Sequence, residues 1–503
     1  MKRTHLMLLS CVFLIIGLVG QANSRSLLCG KCNQHNGFLD VTFGNHGQII
    51  TSLLDAVVGV TVLPCGTIVA TGPRFINKKA TNFGLTAFTS YGVSKQSFGI
   101  NGVVYTDFAT VLRNTGQDIP IIASVDVPTA IVLQKMCGTC TQTCAAKCHQ
   151  SCVMGDKLVV VGSSNATVTK QSHFALARYN SDGTLDTSFG TNGVVVTPIG
   201  MFSSGANAVA IQADNKIVVA GFTFFEFSPE TEGRRFAVTR YNCDGSLDTT
   251  FGCNNSGMVE IGFGESSDSV ARAVKIQKNG KIVVAGSSNI NGLEDFALVR
   301  LIMDGALDKS FGPDHTGKII TSFSDTTIDT VNALVLLENC GSCCTIRADS
   351  AQIVAVGSAM EVSNGFSSFA LAGYKDNGKL DTAFGAEGTG VVTTVFADDM
   401  GGIAHAVAVR RDACTKECTI VAAGFAFTDV VRNIALIRYT IDGRLDNQFG
   451  DNGKVITSLA GSGAFSVALQ CNGDIIAGGD ILDPKTELSA LLVRYNTCHP
   501  CCD

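Results

Sequence analysis

The chain has 503 residues, 46% of them hydrophobic and 16% charged, with 54 glycines, no tryptophan and a formal net charge of −6. Basic runs with interleaved aromatics are absent, which argues against a nucleic-acid partner. Beyond the N-terminus no stretch has 18 uninterrupted apolar residues, so no membrane-spanning helix is expected.

At the N-terminus Lys2 and Arg3 precede an apolar run, Met7 to Val19, and small residues follow at Ala22 and Ser24. That order reads as a secretory signal, residues 1–24, leaving 25–503 for export to a periplasm, the cell surface or the medium. Of 20 cysteines, 19 lie beyond the signal. So many suit an oxidising compartment. The odd count leaves at least one thiol unpaired, on a metal, or open to an intermolecular disulfide.

One phrase then recurs to the end of the chain. A clipped copy, Gly37-Phe38-Leu39-Asp40-Val41-Thr42-Phe43-Gly44, comes first, and a worn one, Ser97-Phe98-Gly99 with Asn101-Gly102, second. The clearest copy is Asp182-Gly183-Thr184-Leu185-Asp186-Thr187-Ser188-Phe189-Gly190, followed by Asn192-Gly193. Further copies open at Asp244, Asp304, Asn377 and Asp442, each ending in Phe-Gly. After Gly193 come four short runs, Val194–Thr197, Ala206–Gln212, Lys216–Gly221 and Phe236–Asn242, bounded by Gly, Asn and Asp. Runs of this length and composition are short strands in a meander.

Four antiparallel strands repeated at seven Phe-Gly anchors predict an all-β fold, a seven-bladed β-propeller of four-stranded blades. It is expected to be a single domain over 25–503, with a Cys-rich insertion at 135–155. The units are placed at 48–92, 102–180, 193–242, 257–301, 317–374, 390–440 and 453–496, so that runs such as Val194–Thr197 are innermost. The last run, Leu492 to Asn496, lacks a following phrase, and Gly37 to Gly44 lacks a preceding strand. Together the termini rebuild one junction and predict a closed ring.

The phrase LVRYN-DG-LD-FG-NG-V-T, with KIVVAG between, resembles the Delta-sixty repeat, a repeat of bacterial exported proteins assigned to β-propellers of unknown function. The resemblance implies a fold and export, and it brings no active site.

Asp186 recurs as Asp40, Asp248, Asp308, Asp381 and Asp446, and a residue present in most copies serves the repeat rather than a single site. Eight residues before four of these stand Arg178, Arg240, Arg300 and Arg438, and Arg494 faces Asp40 across the closure. An Arg–carboxylate pair pinning each turn is expected. Ser90 is read as replacing the Arg where the Asp is missing, and Gly373 as replacing it before Asp381. The anchor phenylalanines are read as wedges between blades. A calcium reading of Asn180 to Asp186 has only part of the ligand spacing.

The cysteines fall between the second and third runs of a unit or between the fourth run and the next unit, so strand parity places them on one face of the disc. Disulfides are expected for Cys243 with Cys253 and Cys414 with Cys418. The alternative for Cys137, Cys140, Cys144, Cys148, His149 and Cys152 is a thiolate metal site, four of these cysteines recurring every fourth residue.

There is no G-x-S-x-G, H-E-x-x-H or P-loop, and no catalytic residue and no cofactor is assigned. The first functional reading is an exported, disulfide-stabilised scaffold for a protein or glycan ligand. Variable loops such as Phe222–Arg235 and Ser287–Asp295, opposite the cysteine face, form its ligand surface. A propeller hydrolase or dehydrogenase acting at the central channel is the second reading. It requires polar residues unique to single blades converging there. A metal-binding protein is the third.

Overall fold

In the computed structural model the described residues are 36–77, 80–116, 124–135, 155–167, 169, 171–228, 231–252, 255–290, 292–337, 350–397, 400–412, 417–428, 431–482 and 488–497. They form seven four-stranded antiparallel sheets, with one short helix, Phe108–Arg113. The first strands of blades 1 to 7 are Gly59–Val62, Asp126–Gln134, Ser204–Ile211, Asp268–Ile276, Thr327–Leu336, Gly402–Arg411 and Gly463–Leu469. Each touches the first strand of the blades on either side, and blade 7 touches blade 1, so these strands wall a closed central channel.

The blades are shifted by one strand from the units read in the sequence. Val194–Thr197 pairs with His173–Asn180 and is the outermost strand of blade 2, not the innermost strand of blade 3. The tight turn explains the shift. Asn192 and Gly193 adopt φ of 52° and 97°, and the Arg178 amide donates to the Gly193 carbonyl at 2.9 Å, so the chain folds back onto the strand it has just left. Closure follows the same rule: Gln48–Thr51 supplies the fourth strand of blade 7 by pairing with Ser489–Tyr495.

Two glycine positions explain the repeated letters. In blades 2 to 7 the first strand carries a one-residue register shift, for example between Ala271 and Ala273. The shift turns a carbonyl against the facing strand, where the glycine of the V-V-A-G run lies. A Cβ on Gly286 would stand 1.9 Å from the Val270 carbonyl oxygen, and one on Gly221 would stand 2.0 Å from that of Gly205. The second position is the glycine of Asp-Gly. Gly245 has φ of 88°, and a Cβ there would meet the Phe189 ring of the preceding blade at 2.9 Å. Phe189 is fully buried by that contact, and the Gly190 amide donates to the Asp244 carbonyl at 2.7 Å.

This latch of ring, glycine and amide bond occurs at every blade junction. The anchors are Phe43, Phe98, Phe189, Phe251, Phe311, Phe384 and Phe449, and the last meets Gly37 across the closure. Tyrosine hydroxyls add a tie to the outer strand of the previous blade, as from Tyr241 to Thr197 at 2.9 Å and Tyr374 to Thr321 at 2.9 Å. Blade 4 replaces both partners, with Leu301 and Ile261 buried in one apolar cluster, so neither polar group is stranded.

Substituting Gly286→Ala forces Cβ into a backbone oxygen and is expected to destabilise by roughly 2–3 kcal/mol. Gly365→Ala, at φ of 71° with nothing within 4 Å of the new atom, is expected to cost about 1 kcal/mol. Denaturant midpoints compared at constant m-value check the difference.

Candidate binding site at the channel mouth

The repeated charges come together in pairs. Arg178 Nε lies 2.8 Å from Asp186, Arg240 2.6 Å from Asp248, Arg300 2.7 Å from Asp308 and Arg438 2.7 Å from Asp446, while Arg494 Nη2 lies 2.5 Å from Asp40. Each guanidinium also lies over its anchor ring, 4.5 Å from the centroid at Phe189 and 4.8 Å at Phe43. In blades 2, 3, 4 and 7 its Nη1 donates to a carbonyl of the next blade, respectively Cys243, Met303, Asp376 and Ser90. Thus one arginine holds its own turn, its anchor ring and its neighbour.

The exceptions are informative. In blade 1 the amide of Lys95 donates to the Ala87 carbonyl just as that of Asp186 donates to Arg178. Ala87, not Ser90, therefore occupies the arginine position, and Lys95 the aspartate position. In blade 5 Gly373 replaces the arginine, and the Phe384 ring fills the vacated space, 2.4 Å from where a Cβ would stand. Asp381 accepts the Ala351 amide at 2.8 Å instead.

Burial alone would raise the pKa of Asp186, but hydrogen bonds from Ser188 and Lys157 and the Arg178 charge outweigh it and hold it at about 2. The balance has the same sign at Asp248 and Asp308, each with a lysine as well as an arginine. Asp182 accepts both the amide and the hydroxyl of Thr184. With Asp186 held by cations, the calcium reading loses its central ligand. Among the described residues no group of His, Cys, Asp and Glu is arranged to hold a metal ion.

Four cysteines fall in the described residues: Cys65, Cys243, Cys418 and Cys471. Cys65 and Cys471 lie between first and second strands, Cys243 lies between a third and a fourth, and Cys418 opens a second strand, so all four stand at one face of the disc. Cys65 is disulfide-bonded, Cys471 is exposed and Cys418 is buried, whereas exposed Cys243 is a free thiol, so the disulfide expected from it to Cys253 is not formed. Cys253, Cys414 and the Cys137–Cys152 cluster with His149 lie outside the described residues, as does the signal segment.

What does not repeat is found at the other face. The register shift in the first strands of blades 2 to 7 turns one residue out of the ladder, and in blade 1 Val58 holds the same place, two residues after the Ala56 carbonyl that faces Gly72. In blades 1 to 7 the residue at this position is Val58, Thr129, Asn207, Arg272, Asn332, His405 and Phe465, all half-buried. Seven positions carry six different polar or apolar chemistries beside an otherwise repeated frame. They are joined around the mouth. Thr129 donates to the Ala206 carbonyl at 2.9 Å, Asn207 Nδ2 to that of Ala271 at 2.7 Å, and Asn332 Nδ2 to that of Ala404 at 2.8 Å. Arg272 reaches blade 5 indirectly: it donates to Ser287, Ser287 donates to Glu294 at 3.0 Å, and Thr330 donates to Glu294 at 3.3 Å. The His405 and Phe465 rings lie 5.3 Å apart, edge to face.

Two charge pairs lie beside the mouth. Arg234 grips Asp268 through Nε at 2.9 Å and Nη2 at 2.5 Å, and Arg432 Nη2 bonds both Asp480 oxygens at 2.8 and 2.7 Å. Burial, then the positive charges of Arg432 and Arg272, lower the pKa of His405 to about 4, so the imidazole is neutral at pH 7. Its buried Nε2 has no hydrogen-bond partner. Sequence reasoning missed this ring because it took the outer strands for inner ones. The usable signal was the V-V-A-G glycine, which marks the residue opposite the bulge.

Clefts of about 580 and 590 Å³ open at the outer rim, beside Lys454–Thr457 and Val194–Val196. The first is walled by phrase and outer-strand residues that recur in other blades; the second adds Leu112 of the short helix with Ala166 and Thr167.

Comparison with known proteins agrees with the architecture. Residues 156–189, 212–251 and 277–311 match a family model described as a domain of unknown function (DUF5122) beta-propeller. The likeness is to a fold. No curated protein sequence matches the chain. Among solved structures, Sqt1 from Chaetomium thermophilum is 10% identical, over 90% of this chain and 100% of that one, with a TM-score of 0.42. Polysaccharide lyase Uly1 is 9% identical over 96% of each chain, at 0.43. A leech intramolecular trans-sialidase is 10% identical over 92% and 70%, at 0.34. None of these likenesses bears on what this chain binds. Among the described residues no helix is long and apolar enough to cross a membrane.

Two outcomes follow from the electrostatics. Arg240→Met leaves Asp248 to Lys216 and Thr250 and is expected to cost roughly 1.5–3 kcal/mol, the loss of one hydrogen bond between charged groups, with Arg240→Met/Asp248→Asn costing less than the sum of the two single changes; chemical denaturation of the cycle measures it. Fully buried Asp126, hydrogen-bonded to Ser164, Ser124 and the Phe108 amide, is pushed up to about 7 by burial. Its folded-state pKa exceeds the unfolded value, so its contribution is present below about pH 4 and lost as pH rises to about 7, on the order of 4 kcal/mol. Asp126→Asn should flatten that part of a plot of melting temperature against pH.

Proposed function

We propose that the protein is an exported binding scaffold of the Delta-sixty type, holding its ligand at the channel mouth and oxidised on the opposite face. One observation carries the reading: diversity is concentrated where the frame needs no particular residue. Latch, arginine ladder and V-V-A-G glycine recur because each blade must dock on the next, whereas the bulge residues differ from blade to blade. Fold and site are separable in this way. Half-buried donors and acceptors converging in a concave opening suit a small ligand or a chain end.

Catalysis at the same mouth is the second reading, favoured by the presence of polar residues confined to single blades. It needs a nucleophile beside a base. Glu294 is occupied by Ser287 and Thr330, and His405 has no hydroxyl within hydrogen-bonding reach among the described residues. Binding is the reading we adopt.

The test is a thermal-shift screen of sugars, sugar acids and amino acids against the oxidised protein and the variant Asn207→Ala/His405→Ala/Phe465→Ala. Shifts seen with the parent and lost in a folded variant support the mouth. Shifts that survive the variant place binding elsewhere. Export and oxidation are checked by the non-reduced intact mass of secreted protein: a start near residue 25, at most nine disulfides from 19 cysteines, and an alkylatable thiol at Cys243 are expected.

A further inference from the structure

We infer that the ligand is an acidic carbohydrate, its carboxylate held by Arg272 and a second acid group reaching Lys275; this rests on the mouth being the binding site. Arg272 and Lys275 both lie on Asp268–Ile276, the first strand of blade 4. Arg272 spends only Nη1, on Ser287. Its Nε and Nη2 have no partner among the described residues and are not among the buried unpartnered atoms, so this edge opens to solvent. A guanidinium edge with two parallel N–H groups matches a carboxylate. The carboxylates of Glu294 and Asp268 act on its charge without bonding it: Asp268 is held by Arg234, and the Glu294 oxygen accepts from Ser287 and Thr330.

Lys275 lies three residues further along, about 10 Å at strand rise. At this register the other blades carry Thr61, Val132, Ala210, Val335, Ala408 and Ala468. Lys275 is solvent-exposed yet surrounded by protein, as a side chain inside a channel is, and among the described residues it has no hydrogen-bond or ion-pair partner. Those surroundings lower its pKa from the ordinary lysine value. A lone amine in an otherwise uncharged ring is compensated by an anion entering the channel.

The neighbours of Arg272 select the rest of the ligand. Asn207 and Asn332 stand on the flanking blades, and each spends its Nδ2 on a carbonyl. Their Oδ1 atoms are left as acceptors reaching solvent. Two free acceptors beside a carboxylate fork suit hydroxyl groups on an acid. Half-buried Phe465 offers a flat apolar surface for a sugar ring.

Titration calorimetry with D-glucuronate, D-glucose and digalacturonate tests this on the full exported chain. Glucuronate is expected to bind at least tenfold more tightly than glucose, and digalacturonate about tenfold more tightly again. Arg272→Met should abolish glucuronate binding, Arg272→Lys should restore part of it, and Lys275→Met should remove only the gain of digalacturonate; melting temperatures near the parent's exclude misfolding. Glucose binding as well as glucuronate, with both lost in Asn207→Ala, would leave the mouth as the site and overturn the acid. Glucuronate affinity unchanged in Arg272→Met, or no binding of any of the three, also overturns it.

Discussion

A phenylalanine ring occupying the space that a Cβ would fill is the contact on which the rest of the molecule depends. At each junction the anchor ring packs on the glycine of the next blade's Asp-Gly turn, and the amide after the ring bonds the carbonyl before that glycine. Sheets alone would leave two apolar faces per blade exposed, and radial stacking covers them only if neighbours meet at a fixed distance. The latch sets that distance. The arginine beside it pins turn, ring and neighbour, so the charge ladder is an accessory of the latch. A closed circle of such junctions makes the first and last phrases partners of each other: Gly450 donates to Asn36, and Phe449 packs on Gly37.

A frame determined by repetition leaves its departures open to inspection. Where blade 5 loses the arginine, Phe384 moves into its place and Asp381 finds a backbone donor. Where blade 4 loses the tyrosine, its threonine partner is also lost. These are structural repairs, with nothing left unpaired. The bulge ring departs differently. Arg272, Lys275 and His405 retain unpartnered polar groups, which a purely structural substitution tends to avoid. Unpartnered polar atoms also occur in the frame, at Gln212, Thr239 and Arg494 Nε, so what supports binding at the mouth is the variety of the bulge residues more than orphaned groups.

Much of this was legible in the sequence. Seven Phe-Gly anchors, strand-length runs and complementary termini are enough to specify the number of blades and the closure, because every junction must solve the same packing problem. The arginine–aspartate spacing was also readable, since eight residues carry the chain once around the phrase. Blade phase was not. An Asn-Gly turn joins strands three and four, and nothing in the run Val194–Thr197 says which neighbour it pairs with. Blade 1 misled for another reason: its phrase keeps little beyond Phe98-Gly99, so Ser90 was aligned three residues away from the true arginine position, Ala87. The mouth was hidden because a bulge is written on the opposite strand, as a glycine, and not in the residue it exposes.

Hydrogen exchange across the seven phrases, followed by mass spectrometry under native conditions, tests the central claim most directly. The account predicts that the amides of Gly44, Gly99, Gly190, Gly252, Gly312, Gly385 and Gly450 exchange together, at the rate of global unfolding, because one broken junction opens the ring. Early exchange confined to the closure, at Gly450 and the segment from Asn36 to Gly47, would contradict it and describe an open array of blades.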